Sequence, residues 1–196
     1  MQIKARLCMS ADGYVSTSNG WPPQVVDPAH GHGSHGIAEF LKPCEAALMG
    51  HTTFEPALTN DFWPWPDLQV FVLASERPAG TPDHVTVEGD PVRLLEAMRA
   101  ANRGGDVHLV GGPRTIETFR ELGALDELQL VVLPFLLGGG LRLTDALSVE
   151  IGLELKTSRT LAAGAVEIVY RVKSGGGVDE AAQRDWVPAS QRSARQ

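Results

Sequence analysis

Apolar positions along the chain come in short runs separated by amphipathic stretches. Residues 3–9, 46–49, 70–73, 107–110 and 128–133 each read as a short buried strand, because brief apolar runs bounded by turn residues fit strands better than helices. A further short strand is expected at 85–87. Residues 37–41 suggest a short helix, stopped by Pro43, and a helical turn is expected at 52–55, after Gly50. Asp90-Pro91 is a good helix start, cap then first-turn proline, for a helix running to about residue 101. Pro113 opens another, to about 122, and 153–172 looks like a hairpin turning near Ala163-Gly164.

Strands alternating with helices imply a mainly parallel sheet covered on both faces, here with an antiparallel hairpin at the end. The expected fold is therefore α/β, three layers, one domain over residues 1–172. Residues 173–196 have too few apolar positions to pack and read as a solvent-exposed, disordered tail, the alternative being that Trp186 docks it. Residues 10–36, rich in Gly, Pro, Ser and His, are expected to be an irregular stretch of the kind that is functional or disordered.

Composition narrows the classes. The 196 residues carry a formal charge of -7, which argues against bulk nucleic-acid binding but leaves room for a small phosphorylated ligand. Two cysteines, Cys8 and Cys44, rule out a disulfide scaffold or a four-cysteine metal site, and both read as small apolar residues. No apolar run is long enough for a membrane helix, and the start lacks the apolar region of a signal peptide, so a cytoplasmic protein without membrane partners is expected.

Ligands of such sheets bind beyond the carboxyl ends of the strands. Four predicted strand ends carry suggestive residues: Ser10-Ala11-Asp12-Gly13, Gly50-His51-Thr52-Thr53, Ala74-Ser75-Glu76-Arg77 and Gly111-Gly112-Pro113-Arg114-Thr115. In the second and fourth, glycine permits close backbone approach and a helix then starts, leaving free amides for phosphate, with Thr52, Thr53 and Thr115 as extra hydroxyl donors. No Gly-x-Gly-x-x-Gly follows the first strand, so the Rossmann fingerprint is absent.

Ser10-Ala11-Asp12-Gly13, Ala47-Leu48-Met49-Gly50-His51-Thr52-Thr53-Phe54-Glu55, Leu109-Val110-Gly111-Gly112, Leu125-Asp126-Glu127-Leu128 and Pro134-Phe135-Leu136-Leu137-Gly138-Gly139-Gly140 together resemble the dihydrofolate-reductase-like family. The closer likeness is to the C-terminal reductase domain of the riboflavin-biosynthesis deaminase–reductase, over about residues 3–172. The resemblance implies the fold of that family and an NADPH-dependent reductase, commonly a homodimer, acting on a phosphoribosylamino-pyrimidine. It also implies that Gly50, Thr53, Gly111 and Gly112 hold the pyrophosphate, with His51, Thr52, Arg114 and Thr115 beside them and Ser75 near the adenosine ribose. Arg77 is a candidate for the 2′-phosphate, since a guanidinium suits that group. The chain departs from the family pattern at His51, where arginine is usual, at Val110, where the riboflavin enzymes often carry glutamate, and at Arg6, where they carry lysine.

The expected chemistry is hydride transfer to a C=N or C=O bond, with a small-molecule substrate. Asp12, Glu39 and His35 are the candidate catalytic groups, Asp12 having a turn-capping role as its alternative. Trp63-Pro64-Trp65 could wall a pocket, cover a dimer surface or pack over the sheet edge, and residues 136–141 could line a subunit contact. Two competing readings are a non-catalytic cofactor-binding homo-oligomer, favoured by His51 and Val110, and a metal-binding module built on His30, His32 and His35. The histidine spacing lacks the partner residues of a standard zinc site, so no metal is assigned.

Overall fold

The computed structural model describes residues 1–25, 35–147 and 150–173. Its strands are β1 (Ile3–Ser10), β2 (Cys44–Gly50), β3 (Gln69–Leu73), β4 (Thr86–Glu88), β5 (Asp106–Gly111), β6 (Glu127–Leu133), β7 (Leu153–Thr160) and β8 (Val166–Val172). The helices are α1 (Ile37–Leu41), α2 (His51–Phe54), α3 (Pro91–Ala101) and α4 (Pro113–Glu121). The strands form one sheet in the order β4-β3-β2-β5-β1-β6-β8-β7. The first six pair in parallel, and the β7–β8 hairpin adds to β6 antiparallel.

Alternation along the strands sorts the side chains onto two faces. On one, Ile3, Ala5, Leu48 and Leu109 pack under Leu94 and Met98 of α3 and Ile116 and Phe119 of α4. On the other, Ala47, Met49, Val70 and Val72 pack against Phe54 of α2 and Trp63 and Trp65. Helices thus cover both faces, as the alternating pattern implied. The tryptophans settle as sheet cover: Trp63 sits edge-on to Phe54, Trp65 and His84, and its indole N–H donates to Trp65 O at 3.0 Å.

Local chemistry sets the element ends. Asp90 caps α3, its Oδ1 accepting from the amides of Val92 (2.8 Å) and Arg93 (3.3 Å). The hairpin turns through Ala163, at φ 55°, as the Ala163-Gly164 signal suggested. Strand ends lie within two residues of those expected, the usual margin. Short 3-10 segments at Pro23–Val25, Glu55–Thr59 and Leu143–Ala146 had no clear sequence signal. The proposed tail beyond Lys173, Trp186, His30 and His32 lie outside the described residues.

Candidate functional site

The tips of β2 and β5 meet at the carboxyl edge of the sheet. Their register pairs Met49 with Gly111, so Gly50 and Gly112 leave the sheet side by side. Each is the N-cap of a helix, α2 and α4 respectively, and neither makes a side-chain cap. The first-turn amides of α4 therefore have no capping side chain. Bare backbone is required at Gly50, and Gly111 has a backbone conformation that favours glycine. A β-carbon on Gly50 would collide with Thr115 Oγ1, and one on Gly112 would lie 3.6 Å from Thr53 Oγ1. Gly111 adopts φ +140°, which favours glycine, and faces Leu7 and Thr53; the peptide joining it to Gly112 is cis. Gly50, Thr53, Gly111, Gly112 and Thr115 are thus brought into one cradle. Thr115 is buried and Thr53 half-buried, while His51, Thr52 and Arg114 stand exposed at the two helix starts. Hydroxyls, glycine backbone and the uncapped α4 start together suit the phosphates of a nucleotide.

The β3 tip continues the row, since Gly50 pairs with Leu73. Ser75, Glu76 and Arg77 are exposed just beyond it. The Arg77 guanidinium is already engaged: Nη1 donates to Val85 O at 3.1 Å, and Nη2 to Pro82 O at 2.7 Å and Thr81 O at 3.5 Å. Arg77 thereby staples its own loop.

On the α1 side, β1 directs Lys4, Arg6, Cys8 and Ser10 to one face. Arg6 is buried; its Nη2 donates to Glu167 Oε1 at 3.0 Å and to the carbonyl of His35. Arg159 Nε donates to the other Glu167 oxygen at 2.5 Å. Burial alone would raise the Glu167 carboxyl, but Arg159 and Arg6 together hold it below its ordinary value. Arg6 also lies 5.4 Å over the Phe40 ring, which meets His108 edge-on at 4.9 Å. Burial, then the Arg6 charge, push His108 down to about 3, so it stays neutral. Burial lifts the Cys8 thiol to about 11, and the same cause lifts Cys44 to about 11, which suits neither as a nucleophile.

The three candidate catalytic groups are placed differently. His35 is buried in the turn before α1. Glu39 is exposed on α1, near enough for its charge to act on Arg159. Asp12 ties loops together: Oδ1 accepts from Ser10 Oγ at 2.5 Å and from Leu137 N at 3.1 Å, and Oδ2 from Gly138 N at 2.8 Å. The Ser10 hydroxyl first, then the Gly138 and Leu137 amides, lower its carboxyl to about 2. A group held that low remains ionised at neutral pH and donates no proton. The loop around 138–140 explains its glycines, since a β-carbon on Gly140 would run into the Ser16 carbonyl. Residues 136–141 thus pack on the loop after β1.

Sequence reasoning missed the Arg6–Glu167–Arg159 cluster and the Arg142 guanidinium 4.8 Å over the Tyr14 ring. Glu167 sits in the alternating strand Val-Glu-Ile-Val, whose buried phase includes it, and that was the available signal. Among the described residues no three His, Cys, Asp or Glu side chains are grouped to hold a metal, and no helix is long and apolar enough to cross a membrane.

Comparison with known proteins agrees with this architecture. Residues 2–166 match the family model described as the RibD C-terminal domain. The uncharacterized protein YwjB of Bacillus subtilis (strain 168) is 25% identical over 168 residues, covering 84% of this chain and 94% of its own length. A putative riboflavin biosynthesis protein from Shewanella sp. PV-4 superposes with a TM-score of 0.72 at 24% identity, over 88% of this chain and 99% of that one. A dihydrofolate reductase from Enterococcus faecalis, solved with NADP(H) and RAB-propyl, superposes with a TM-score of 0.63 at 15% identity, over 88% and 97%. At these identities the two structures show a shared fold. The family model spans most of the described chain, and the chain belongs to the RibD C-terminal domain family.

Proposed function

We propose that the chain is a nicotinamide-dinucleotide-dependent reductase of a small heterocyclic substrate, with NADPH and a phosphoribosylamino-pyrimidine the cofactor and substrate that its family likeness suggests. The observation that carries this reading is the shared cradle of Gly50, Gly111 and Gly112, lined by Thr53 and Thr115. The reduced cofactor, when bound, supplies a hydride from nicotinamide C4 to a C=N or C=O carbon. The α4 amides and the two threonine hydroxyls would hold the pyrophosphate, with His51, Thr52 and Arg114 at its edges. The substrate would lie beside the cradle, beyond the carboxyl end of β1. His35 and Glu39 remain the candidates for moving a proton, and Asp12 keeps the surrounding loops in place.

A homodimer fits the edge of the sheet. β7 is exposed along its whole length, and Leu153 and Leu155 extend the apolar face of Tyr170 and Val172 into solvent. Light scattering on the eluting protein tests this, with a two-chain mass expected.

The test of function is loss of reduced-nicotinamide absorbance on adding pyrimidines and pterins. Turnover with a heterocycle supports the reductase. Tight cofactor binding with no turnover across the set favours the non-catalytic reading, for which Val110 and the engaged Asp12 speak.

A further inference from the structure

A dinucleotide held at the β2 and β5 tips, the reading proposed above, extends one nucleoside to each side. On the β1 and β5 side lie Arg6, His35 and His108, polar but buried. Over β3 and β4 the sheet beneath is apolar, with Val70, Val72 and Val87, and only the rim is polar. The nucleoside that takes no part in the chemistry belongs on that second side.

Register fixes what it meets there. Glu88 pairs with Leu73, and Leu73 with Gly50, so Ser75, Glu76 and Asp90 stand just beyond one row of strand ends. The two tips form a continuous rim, because a β-carbon on Gly89 would be 3.1 Å from Ser75 Cα. Three carboxylates occupy it. Asp90 caps α3, and Glu88 Oε1 accepts from Asp90 N at 2.9 Å. Glu76 is exposed and, among the described residues, has no ion-pair partner. Two arginines, Arg77 and Arg93, stand near this rim. Arg77 gives its Nη1 and Nη2 to three loop carbonyls. Arg93 lies 4.0 Å from Asp90, Arg114 is on α4 beyond the β5 tip, and His51 opens α2.

We propose that this rim reads an unmodified ribose, so that the chain prefers NADH to NADPH, with Glu76 the specificity-determining acceptor for the ribose hydroxyls. A carboxylate accepts hydrogen bonds from a ribose diol, whereas a 2′-phosphate calls for an arginine. Placed on this rim, a 2′-phosphate would face three carboxylates, with the Arg77 guanidinium turned to its own loop and Arg93 beside Asp90. Arg77 is here a loop staple, in place of the phosphate ligand expected from the sequence.

The test is titration of the intact protein with NADH and with NADPH, followed by calorimetry and tryptophan quenching, with 5′-AMP and adenosine 2′,5′-bisphosphate as probes of the adenosine half. NADH is expected to bind more tightly than NADPH, and 5′-AMP more tightly than the bisphosphate. Glu76→Arg is expected to move the NADH-to-NADPH affinity ratio at least tenfold toward NADPH, with melting temperature unchanged because Glu76 is exposed. Tighter NADPH binding by the unmodified protein, or a ratio unmoved in the variant, overturns the proposal. Failure of both dinucleotides to bind overturns the dinucleotide reading as well, which separates the two failures.

Discussion

Thr115 Oγ1 lies against Gly50 so closely that a β-carbon at position 50 has no room. One residue comes from the end of β2 and the other from the first turn of α4, so the contact locks two tips of the cradle together. Gly50→Ala must displace Thr115, at a cost of roughly 1–3 kcal/mol for overpacking. The variant is expected to melt lower and to bind dinucleotide at least tenfold more weakly. Adding Thr115→Ala should restore the melting temperature without restoring affinity, because the hydroxyl is gone. Thermal melts and titration of both variants check this.

Asp12 makes a different prediction, about pH. Its folded-state carboxyl is lowered to about 2, by Ser10 first and then by the Gly138 and Leu137 amides. A lowered carboxyl contributes stability that is present above its unfolded value and is lost as pH falls through the folded one. Asp12→Asn should therefore be less stable at neutral pH and show a flatter acid limb. Amide exchange at Leu137 and Gly138 should speed up, and unchanged protection there would count against the anchoring role.

His108 titrates in the same sense, in a higher pH window. Burial first, then the charge of Arg6, lower it to about 3, outweighing a contact with the Arg6 backbone that raises it. The unfolded chain takes up a proton near the ordinary histidine value while the folded chain does not, so stability falls as pH drops from that value toward 3. The slope is about 1.4 kcal/mol per pH unit for one proton. His108→Leu should remove that slope between about pH 6 and 4 and keep or raise stability at neutral pH, since it replaces a buried imidazole with an apolar side chain. Urea melts across pH provide the readout.

Much of the fold was legible because it is encoded locally. Asp90-Pro91 and Gly112-Pro113 announce helices by cap and first-turn chemistry, and both helices start there. The meeting of the Gly50 and Gly111 turns at one sheet edge was inferable because both end strands of a parallel sheet. What the sequence hid depends on long-range register. Glu167 reaches Arg6 across 161 positions, through β8 pairing with β6 and β6 with β1. Asp12 keeps a local partner in the Ser10 hydroxyl, but its two loop amides lie 125 and 126 residues away, which local turn context does not show. Arg77 read as a phosphate ligand because nothing in its neighbours' identities shows that their carbonyls turn toward it.

Glu167 is accordingly expected to matter for stability more than its position near the chain's end suggests. The Arg6–Glu167 side chains are only 3% and 7% exposed, so losing one charge leaves the other buried and uncompensated. Glu167→Gln should cost about 3 kcal/mol or more in denaturant unfolding. A loss below about 1 kcal/mol, the range of surface pairs, would show that solvent reaches the cluster.

The most direct test of the cradle is a crystal structure of the protein with a reduced nicotinamide dinucleotide bound. The pyrophosphate is predicted to sit between Gly50 and Gly112, on the first amides of α4, with Thr53 and Thr115 in hydrogen-bond reach. A dinucleotide bound elsewhere, or a cradle still filled by the protein's own side chains at saturating ligand, would contradict it.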